Sequence, residues 1–402
     1  MRKRFLVIGI FLLLIGICVY PSTAVDNVKK SSIPIISDGN ILYVGGSGEG
    51  NYSKIQDAID NASDGDTVFV YDDSSPYNEY VWINKSINLI GENKNTTVID
   101  GWGTGYRVVV YITADNVSVT GFTIYNCSEL MEKGILIVDA SNVIIKEDII
   151  ADNWWGIFEG PSSNNTILDN IIINTTFGID SAFASTTIKG NTILNHTFGI
   201  NMQDTSNIVE DNFIYTTQTV VTSDYVKNTW GIKNSIYHFP SCISIIKGNT
   251  IINHLQGISC INTLNHIISG NTLIDNYIGI SLSNSSNNEI KGNNITNSYW
   301  WGLRIDDKSS NNSFIRNTIA NNSEYGIYLQ YAFNNKFIEN NIMKSNISVY
   351  FENSLLNRWI GNFWERSRLF FYPIFGKIKL TEDIVIPWVN FDWHPAKEPY
   401  DI

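Results

Sequence analysis

Nine times between residues 169 and 364 the chain repeats a short phrase: any residue, then Asn, then a β-favouring pair. The copies read DNII, GNTI, DNFI, GNTI, GNTL, GNNI, RNTI, ENNI and GNFW. They centre on Asn170, Asn191, Asn212, Asn249, Asn271, Asn293, Asn317, Asn340 and Asn362. Their spacings are 21, 21, 37, 22, 22, 24, 23 and 22 residues. A fixed period in the low twenties, filled with β-formers, marks a solenoid in which each repeat is one turn of a coil. A solenoid core grows by stacking, so a chain of 402 residues need not divide into two ordinary domains.

The stretch from Ile268 to Ile290 shows one coil. Ile268 points inward, Gly270 turns the chain, Asn271 takes the corner and Leu273 points inward again. Asp275-Asn276 makes a second turn, Tyr277 to Leu282 a third strand, and Ser283 to Asn288 a third turn. Three strands and three turns per coil describe a right-handed parallel β-helix, all-β in class. Other coils superpose. The residue three before each Asn is apolar (Ile167, Ile188, Val209, Ile268, Ile290, Phe314, Phe337, Trp359), and so is the residue two after it, from Ile172 to Trp364. With looser copies at Asn116–Ile124 and Asn142–Ile150, and strands between Asp66 and Asp100, the expectation is about twelve coils.

The locked register of Asn needs a cause beyond turn preference. A buried carboxamide without partners costs about 1–3 kcal/mol. Nine in one column are tolerable only if each bonds to the one above and below and satisfies backbone at the bend. The sequence therefore predicts an Asn ladder. A second column holds Gly156, Gly178, Gly199, Gly257, Gly279, Gly302 and Gly326, where Gly supplies either positive φ or room at a crowded bend.

The ends differ from the body. Residues 1–24 read as a secretory signal peptide: Arg2, Lys3 and Arg4, an apolar run from Phe5 to Val19, then Ser22-Thr23-Ala24. The run is short for a membrane span, which needs about 20 residues. Residues 25–64 read as an N-terminal segment ending in a cap helix, with Ser53 as its cap and Ile55, Ala58, Ile59 and Ala62 on one face. Residues 65–363 form the β-helix. Residues 364–402 carry Trp364, Phe370, Phe371, Tyr372, Phe375, Trp388, Phe391 and Trp393 among prolines. They read as an aromatic cap over the last coil, or else as a separate binding module.

The 37-residue gap between Asn212 and Asn249 is the one large break in period. About 15 extra residues leave the coil between 216 and 241, in an insertion that includes Trp230 and Tyr237. Long loops on a rigid scaffold often carry function; the plainer alternative is padding on the wall. Cys242 and Cys260, 18 residues apart, are either a disulfide across neighbouring coils or small buried side chains.

A net charge of −12 argues against nucleic acid as a partner. Positions before the column glycines hold Trp155, Phe177, Phe198, Trp301 and Tyr325, flanked by Trp154, Tyr277 and Trp300. Facing out, this strip is a candidate surface for a polysaccharide or surface glycan. Facing in, it is a core stack, although both members of Trp154-Trp155 or Trp300-Trp301 cannot face in. Paired carboxylates for glycoside hydrolysis, or several acids for Ca²⁺ with an Arg or Lys base, do not gather in any one register. Asp180 and Arg304 stand several coils apart. His196 and His254 share a register but lie more than one coil apart, so no grouped copper ligands are expected. The expectation is no cofactor and no metal.

The recurring N-x-I…GI…S-x-N-N-x-I-x-x-N resembles the parallel β-helix repeat of NosD-like proteins and the pectin-lyase-like superfamily. The opening Ile55-Gln56-Asp57-Ala58-Ile59, with Gly65-Asp66-Thr67-Val68 and Lys85 to Gly91, is similar to the start of pectinesterase-like, carbohydrate-active β-helices. The tail IPWVNFDWHPAKEPY resembles endings of secreted archaeal β-helix proteins. The resemblance implies the fold over most of residues 40–402. The NosD-like label implies copper, which the histidine spacing does not support. The reading is an exported, secreted or cell-surface β-helix that binds carbohydrate or is structural, without catalysis. The alternative is a polysaccharide lyase or glycoside hydrolase using the 216–241 insertion.

Overall fold

The computed structural model describes residues 39–402, less residues 104, 126–131, 218–220, 223–224, 227–228, 239–240, 366–369 and 382. The expected signal peptide and Cys127 lie outside the described residues. The chain is a right-handed parallel β-solenoid of about 14 turns. Three parallel sheets run along its axis. The first passes from Ile41–Val44 through Thr67–Val70, Asn88–Gly91, Ser118–Thr120 and Ile144–Lys146 to Arg358–Ile360. The second contains Val98–Asp100, Thr123–Tyr125, Ile149–Ala151 and, at its end, Phe363–Trp364. The third contains Val81–Ile83, Val108–Ile112, Lys133–Ile137, Trp155–Glu159 and on to Ile347–Glu352. The first strand, Ile41–Val44, precedes the helix, so stacking begins earlier in the chain than residue 65.

Both apolar columns face the axis. Ile167, Ile188, Val209, Ile268 and Ile290 on the first sheet are fully buried, as are Ile172, Ile193, Ile214, Ile251 and Leu273 on the second. Near the C-terminus the first column widens to Phe314, Phe337 and Trp359, whose rings stack at 4.7 and 4.0 Å. Flat rings tolerate the inter-coil spacing of about 4.8 Å, because stacked faces fit that distance.

Between these sheets sits the Asn corner, with a directional rule. Each Oδ1 accepts two hydrogen bonds from the preceding ladder Asn, one from its backbone N and one from its Nδ2. Asn271, for example, takes Asn249 N at 3.0 Å and Asn249 Nδ2 at 2.9 Å. Each Nδ2 also donates backward, as Asn271 Nδ2 does to Ile246 O at 3.0 Å. The residue before each ladder Asn is left-handed: φ is 65° at Gly190, 62° at Gly270, and 55° at Asp169. That geometry explains the preference for Gly there.

Two acids occupy the ladder's ends: Asp148 holds the ladder position of the looser copy Asn142–Ile150, and Asp392 lies beyond the repeat. Asp392 Oδ2 accepts Asn362 N (2.8 Å), Asn362 Nδ2 (3.0 Å) and Trp364 Nε1 (3.1 Å). At the other end Asp148 accepts Phe122 N through Oδ1, while its buried Oδ2 has no hydrogen-bond partner. Burial pushes the Asp148 carboxyl up to about 8. Further polar ladders run along the other two corners. Asn288, Asn312, Asn335 and Asn357 repeat the same rule at one. His254, Asn276, Ser298, Asn322 and Ser345 occupy the other, where Asn276 and Asn322 each accept a backbone N–H from the preceding coil.

The column glycines supply room, not positive φ. A Cβ on Gly178 would lie 2.5 Å from Gly199 O and 2.6 Å from an Ile193 methyl. The helix Ile55–Asn61 buries Ile55, Ala58 and Ile59, but Ser53 does not cap it. The N-cap position is Lys54, and the Glu79 carboxylate from the third-sheet side accepts Ile55 N at 2.9 Å and Gln56 N at 3.0 Å. A carboxylate with two oxygens satisfies two orphan donors and the positive helix end together. At the C-terminus, Tyr372–Lys379 and Val385–Asp392 form an antiparallel hairpin, and Tyr372 stacks on Trp364 at 4.1 Å. Cys242 and Cys260 are both free thiols; Cys260 is fully buried on an inward column.

Replacing Asn271 by Ala should destabilise the fold by about 3 kcal/mol in urea denaturation, because Asn249 N would be left unpaired inside. Asp148 carries a raised pKa, so the fold favours its protonated form. Its full contribution is present below about pH 4 and is lost as pH rises through about 8. Asp148→Asn should therefore raise the melting temperature at pH 8 and lose that advantage at pH 4, measured by dichroism.

Candidate functional site

The outer face of the third sheet places the aromatic strip. On each strand the residue two beyond the aromatic fills the core: Ile157, Ile179, Ile200, Ile232, Leu303 and Ile327 are all fully buried. Strict alternation would put the aromatic on that same inward face, but the glycine between them breaks it: Trp155, Phe177, Phe198 and Tyr325 are half-buried, Trp301 is buried, and none of the five packs in the axial core, against the core alternative. Their register is continuous, Trp155 beside Phe177 beside Phe198 beside Trp230. Trp230 thus belongs to the coil and not to the insertion. Trp230–Ser235 is a regular third-sheet strand, and Gly231 behind it completes the glycine column. Eleven of the extra residues precede Trp230 and five come after it, by comparison with the coil before. The break in period hid a coil that is structurally intact.

The strip's ring faces are turned toward one another along the axis. Phe177 and Phe198 stack at 4.6 Å with planes 2° apart, and Phe198 and Trp230 at 4.5 Å and 3°. Cations lie over the rings: Lys133 Nζ is 4.8 Å from the Trp155 ring, and Lys233 Nζ is 5.6 Å from both Phe198 and Trp230. The strip therefore offers solvent its ring edges. Asp180, beside it, accepts Trp155 Nε1 at 2.9 Å and Asn201 Nδ2 at 2.7 Å. Burial raises its pKa, opposed by those two bonds and by the charge of Lys233. Further along, Trp301 stacks on Trp300 at 4.0 Å and on Tyr328 at 4.7 Å, with the Arg304 guanidinium 5.2 Å from its ring. Arg304 is paired with Asp306, not with Asp180. Tyr277 meets Trp300 at 5.2 Å, and Tyr325 meets Tyr350 at 5.4 Å.

Trp154 is placed differently. It makes only an edge contact with Trp155, at 63°. It lines a groove of about 430 Å³ with Asp152, Asn153, Asn174, Thr175, Thr176, Asn195 and Thr197. Outside the coil, Asn174 Nδ2 donates to Asp152 and Asn195 Nδ2 to Asn174, at 3.1 and 3.3 Å. These three residues sit at left-handed corners, with φ of 54°, 56° and 52°. The insertion leaves the coil here, since Thr217 N and Oγ1 both donate to Asn195 Oδ1. An aromatic ring above a row of amides and hydroxyls is a surface that can meet a sugar with both its faces and its hydroxyls satisfied. Tyr237 is not part of this groove. It lies exposed on the turn after Trp230–Ser235, where Asp204 Oδ1 accepts Tyr237 N and His238 N at 2.8 Å each.

Two histidines that the spacing sets apart are in contact. His196 Nε2 and His254 Nε2 are 2.9 Å apart and both rings are fully buried. The coil between them is the one that carries the insertion. Tyr215 sits in register between Leu194 and Ile252. The chain then leaves the coil after Thr216 and is back in it at Thr229, both of them buried. Among the described residues, no group of three or more His, Cys, Asp or Glu could hold a metal ion.

Solved structures similar to this chain share the fold. The Dettilon tailspike protein aligns at a TM-score of 0.54 and 16% identity, over 80% of this chain and 66% of its own. The catalytic domain of GH87 α-1,3-glucanase in complex with nigerose aligns at 0.54 and 14%, over 87% and 70%. The A-module of the Azotobacter vinelandii mannuronan C-5 epimerase AlgE6 aligns at 0.52 and 15%, over 86% and 95%. The chain spans about two thirds of the tailspike's length. No curated protein sequence matches it. Among the described residues, no helix is long and apolar enough to cross a membrane. The NosD family model, described as periplasmic copper-binding protein (NosD), matches residues 59–238 and 225–368, well over half the chain, and the protein belongs to that family.

Proposed function

We propose that the protein is an exported β-helix, periplasmic or at the cell surface, that binds a polysaccharide along the flank of coils 151–233 without cleaving it. The observation that carries this reading is the groove that half-buried Trp154 lines together with Asp152, Asn174, Asn195, Thr176 and Thr197. The rows repeat with the coil, about every 4.8 Å, so the groove offers equivalent contacts to successive units of a polymer. The strip of Trp155, Phe177, Phe198 and Trp230 contributes ring edges and keeps the wall rigid. Epimerases, a tailspike and a glucanase among the structural neighbours support a carbohydrate partner. The non-catalytic part rests on Asp180, whose two oxygens already hold Trp155 and Asn201.

On a glycan array the protein should retain one class of polysaccharide, and Trp154→Ala should weaken that binding about tenfold with unchanged dichroism. Uniform binding by wild type and variant would remove Trp154 from the site, and no binding to any glycan would favour a purely structural role. Incubation with the bound polysaccharide should leave its size distribution unchanged on gel filtration. Shortening that disappears in Asp180→Asn would establish the enzymatic alternative.

A further inference from the structure

The groove beside Trp154 carries a polar row whose hydrogen bonds can be counted atom by atom. Asp152, Asn174 and Asn195 take the same left-handed corner on three successive coils, with φ of 54°, 56° and 52°. Asn174 Nδ2 donates to Asp152 Oδ1 at 3.1 Å, and Asn195 Nδ2 donates to Asn174 Oδ1 at 3.3 Å. Thr217 N and Oγ1 then both donate to Asn195 Oδ1, at 3.3 and 2.7 Å. A carboxamide has two N–H donors and two lone pairs on its oxygen. Asn174 therefore keeps one donor and one lone pair for a ligand, side by side. Asn195 keeps an N–H and no lone pair. Asp152 can only accept, and its Oδ2 is left for an incoming donor.

The row is also one-sided in charge. Its single ionisable member is the half-buried carboxylate of Asp152, and none of the side chains lining the groove is a cation. Among the described residues Asp152 has no ion-pair partner. The lysines of the neighbouring third-sheet face are held over rings instead. Lys133 Nζ lies 4.8 Å from the Trp155 ring, and Lys233 Nζ lies 5.6 Å from those of Phe198 and Trp230. The chain as a whole carries a charge of −12. A carboxylate on the ligand would therefore meet an acid without a counter-charge, inside a field that repels it.

Two adjacent hydroxyls on a sugar ring supply one acceptor and one donor, the complement of what Asn174 presents. A further hydroxyl can donate to Asp152 Oδ2, and the Thr176 and Thr197 hydroxyls adapt to either role. The rise of about 4.8 Å per coil sets the next amide beside the next unit of an extended chain. We propose that the groove takes a neutral polysaccharide with vicinal hydroxyls, and that Asp152 turns away polymers bearing a carboxylate on every unit. The inference rests on the carbohydrate-binding reading above and adds to it the charge of the ligand.

Calorimetric titration of the full chain with dextran, galactomannan, mixed-linkage β-glucan, polygalacturonate and polymannuronate tests it. At least one of the three neutral polymers should bind, and neither uronate polymer should match it. Affinity for the neutral polymer should be the same at about 0.01 M and 0.1 M salt, because an uncharged ligand leaves nothing to screen. Asp152→Asn installs the residue that the next two coils carry at this corner, so the fold is kept. That variant should still bind the neutral polymer and should gain about tenfold in affinity for the uronate polymers. Tighter binding of the wild type to a uronate polymer, a neutral-polymer affinity that falls with salt, or no gain in Asp152→Asn would each overturn the inference. Trp154→Ala separates that failure from failure of the site. Uronate binding that vanishes in Trp154→Ala leaves the groove standing and removes only the neutral class. Binding of no polymer, or binding that Trp154→Ala leaves unchanged, removes the groove and this inference together.

Discussion

From Asn170 to Asn362 each coil is fixed to the next by one hydrogen-bonding rule: a ladder Oδ1 accepts both the backbone N and the Nδ2 of the Asn one coil earlier. Two donors converging on one acceptor set the height and the rotation of each corner together. The backbone N–H at a left-handed bend has no strand partner, so without the side-chain oxygen it would be buried and unpaired. The rule has a direction, and a directed chain must end. It ends on Asp392, where a carboxylate gathers Asn362, Trp364 and, through Oδ1, Gly361 and His394. The C-terminal hairpin is thereby tied to the last coil by the same interaction that holds the body together. The first position is an Asp as well, but there the missing amide leaves an oxygen without a donor, so this end carries an electrostatic cost the other does not.

The ladder also explains how the insertion is tolerated. Asn212 and Asn249 are separated by 37 residues, yet Asn249 Oδ1 receives Asn212 N at 3.0 Å and Asn212 Nδ2 at 2.9 Å. Corner geometry is indifferent to how much chain lies between two coils, since loop closure adds free energy only as the logarithm of length. The extra residues leave at the second corner, beside the Trp154 groove, and at the third, where Asp204 takes up two backbone N–H groups. The spine stays regular while the two other corners diverge, which is how one scaffold can carry a local feature without losing its period.

This division between spine and corners decides how much could be read from the sequence. Asn170 to Asn362, the two apolar columns and the three-strand coil were legible because each recurs at one register, and recurrence filters out chance. The third-corner ladder was equally periodic at Asn288, Asn312, Asn335 and Asn357, but it lay inside a run of Ser and Asn where turn preference masks it. Asp392 and Glu79 were invisible because each acts once, at an end, where a repeat gives no comparison, and Asp148 stood in a looser copy where the missing Asn hid its place in the ladder. Trp230 was misplaced for a related reason: a gap in period shows that residues are added but not where the coil resumes. The same ambiguity separated His196 from His254, whose Nε2 atoms meet at 2.9 Å across the coil that carries the insertion.

Stacking also decides which aromatics remain available. At about 4.8 Å per coil, identical positions on neighbouring strands bring rings face to face. A continuous aromatic column therefore spends its faces on itself, and what it gains is stiffness. An aromatic keeps a face for a ligand only where the column is interrupted. Trp154 satisfies that condition, because the equivalent positions on the next two coils are Thr176 and Thr197, which are small and polar. The residue that looks like part of a tryptophan pair in the sequence is thus distinguished from its neighbour by the side chains that stand 22 and 43 positions further along the chain. In a β-solenoid, an aromatic without stacking partners above and below it is one that breaks the repeat.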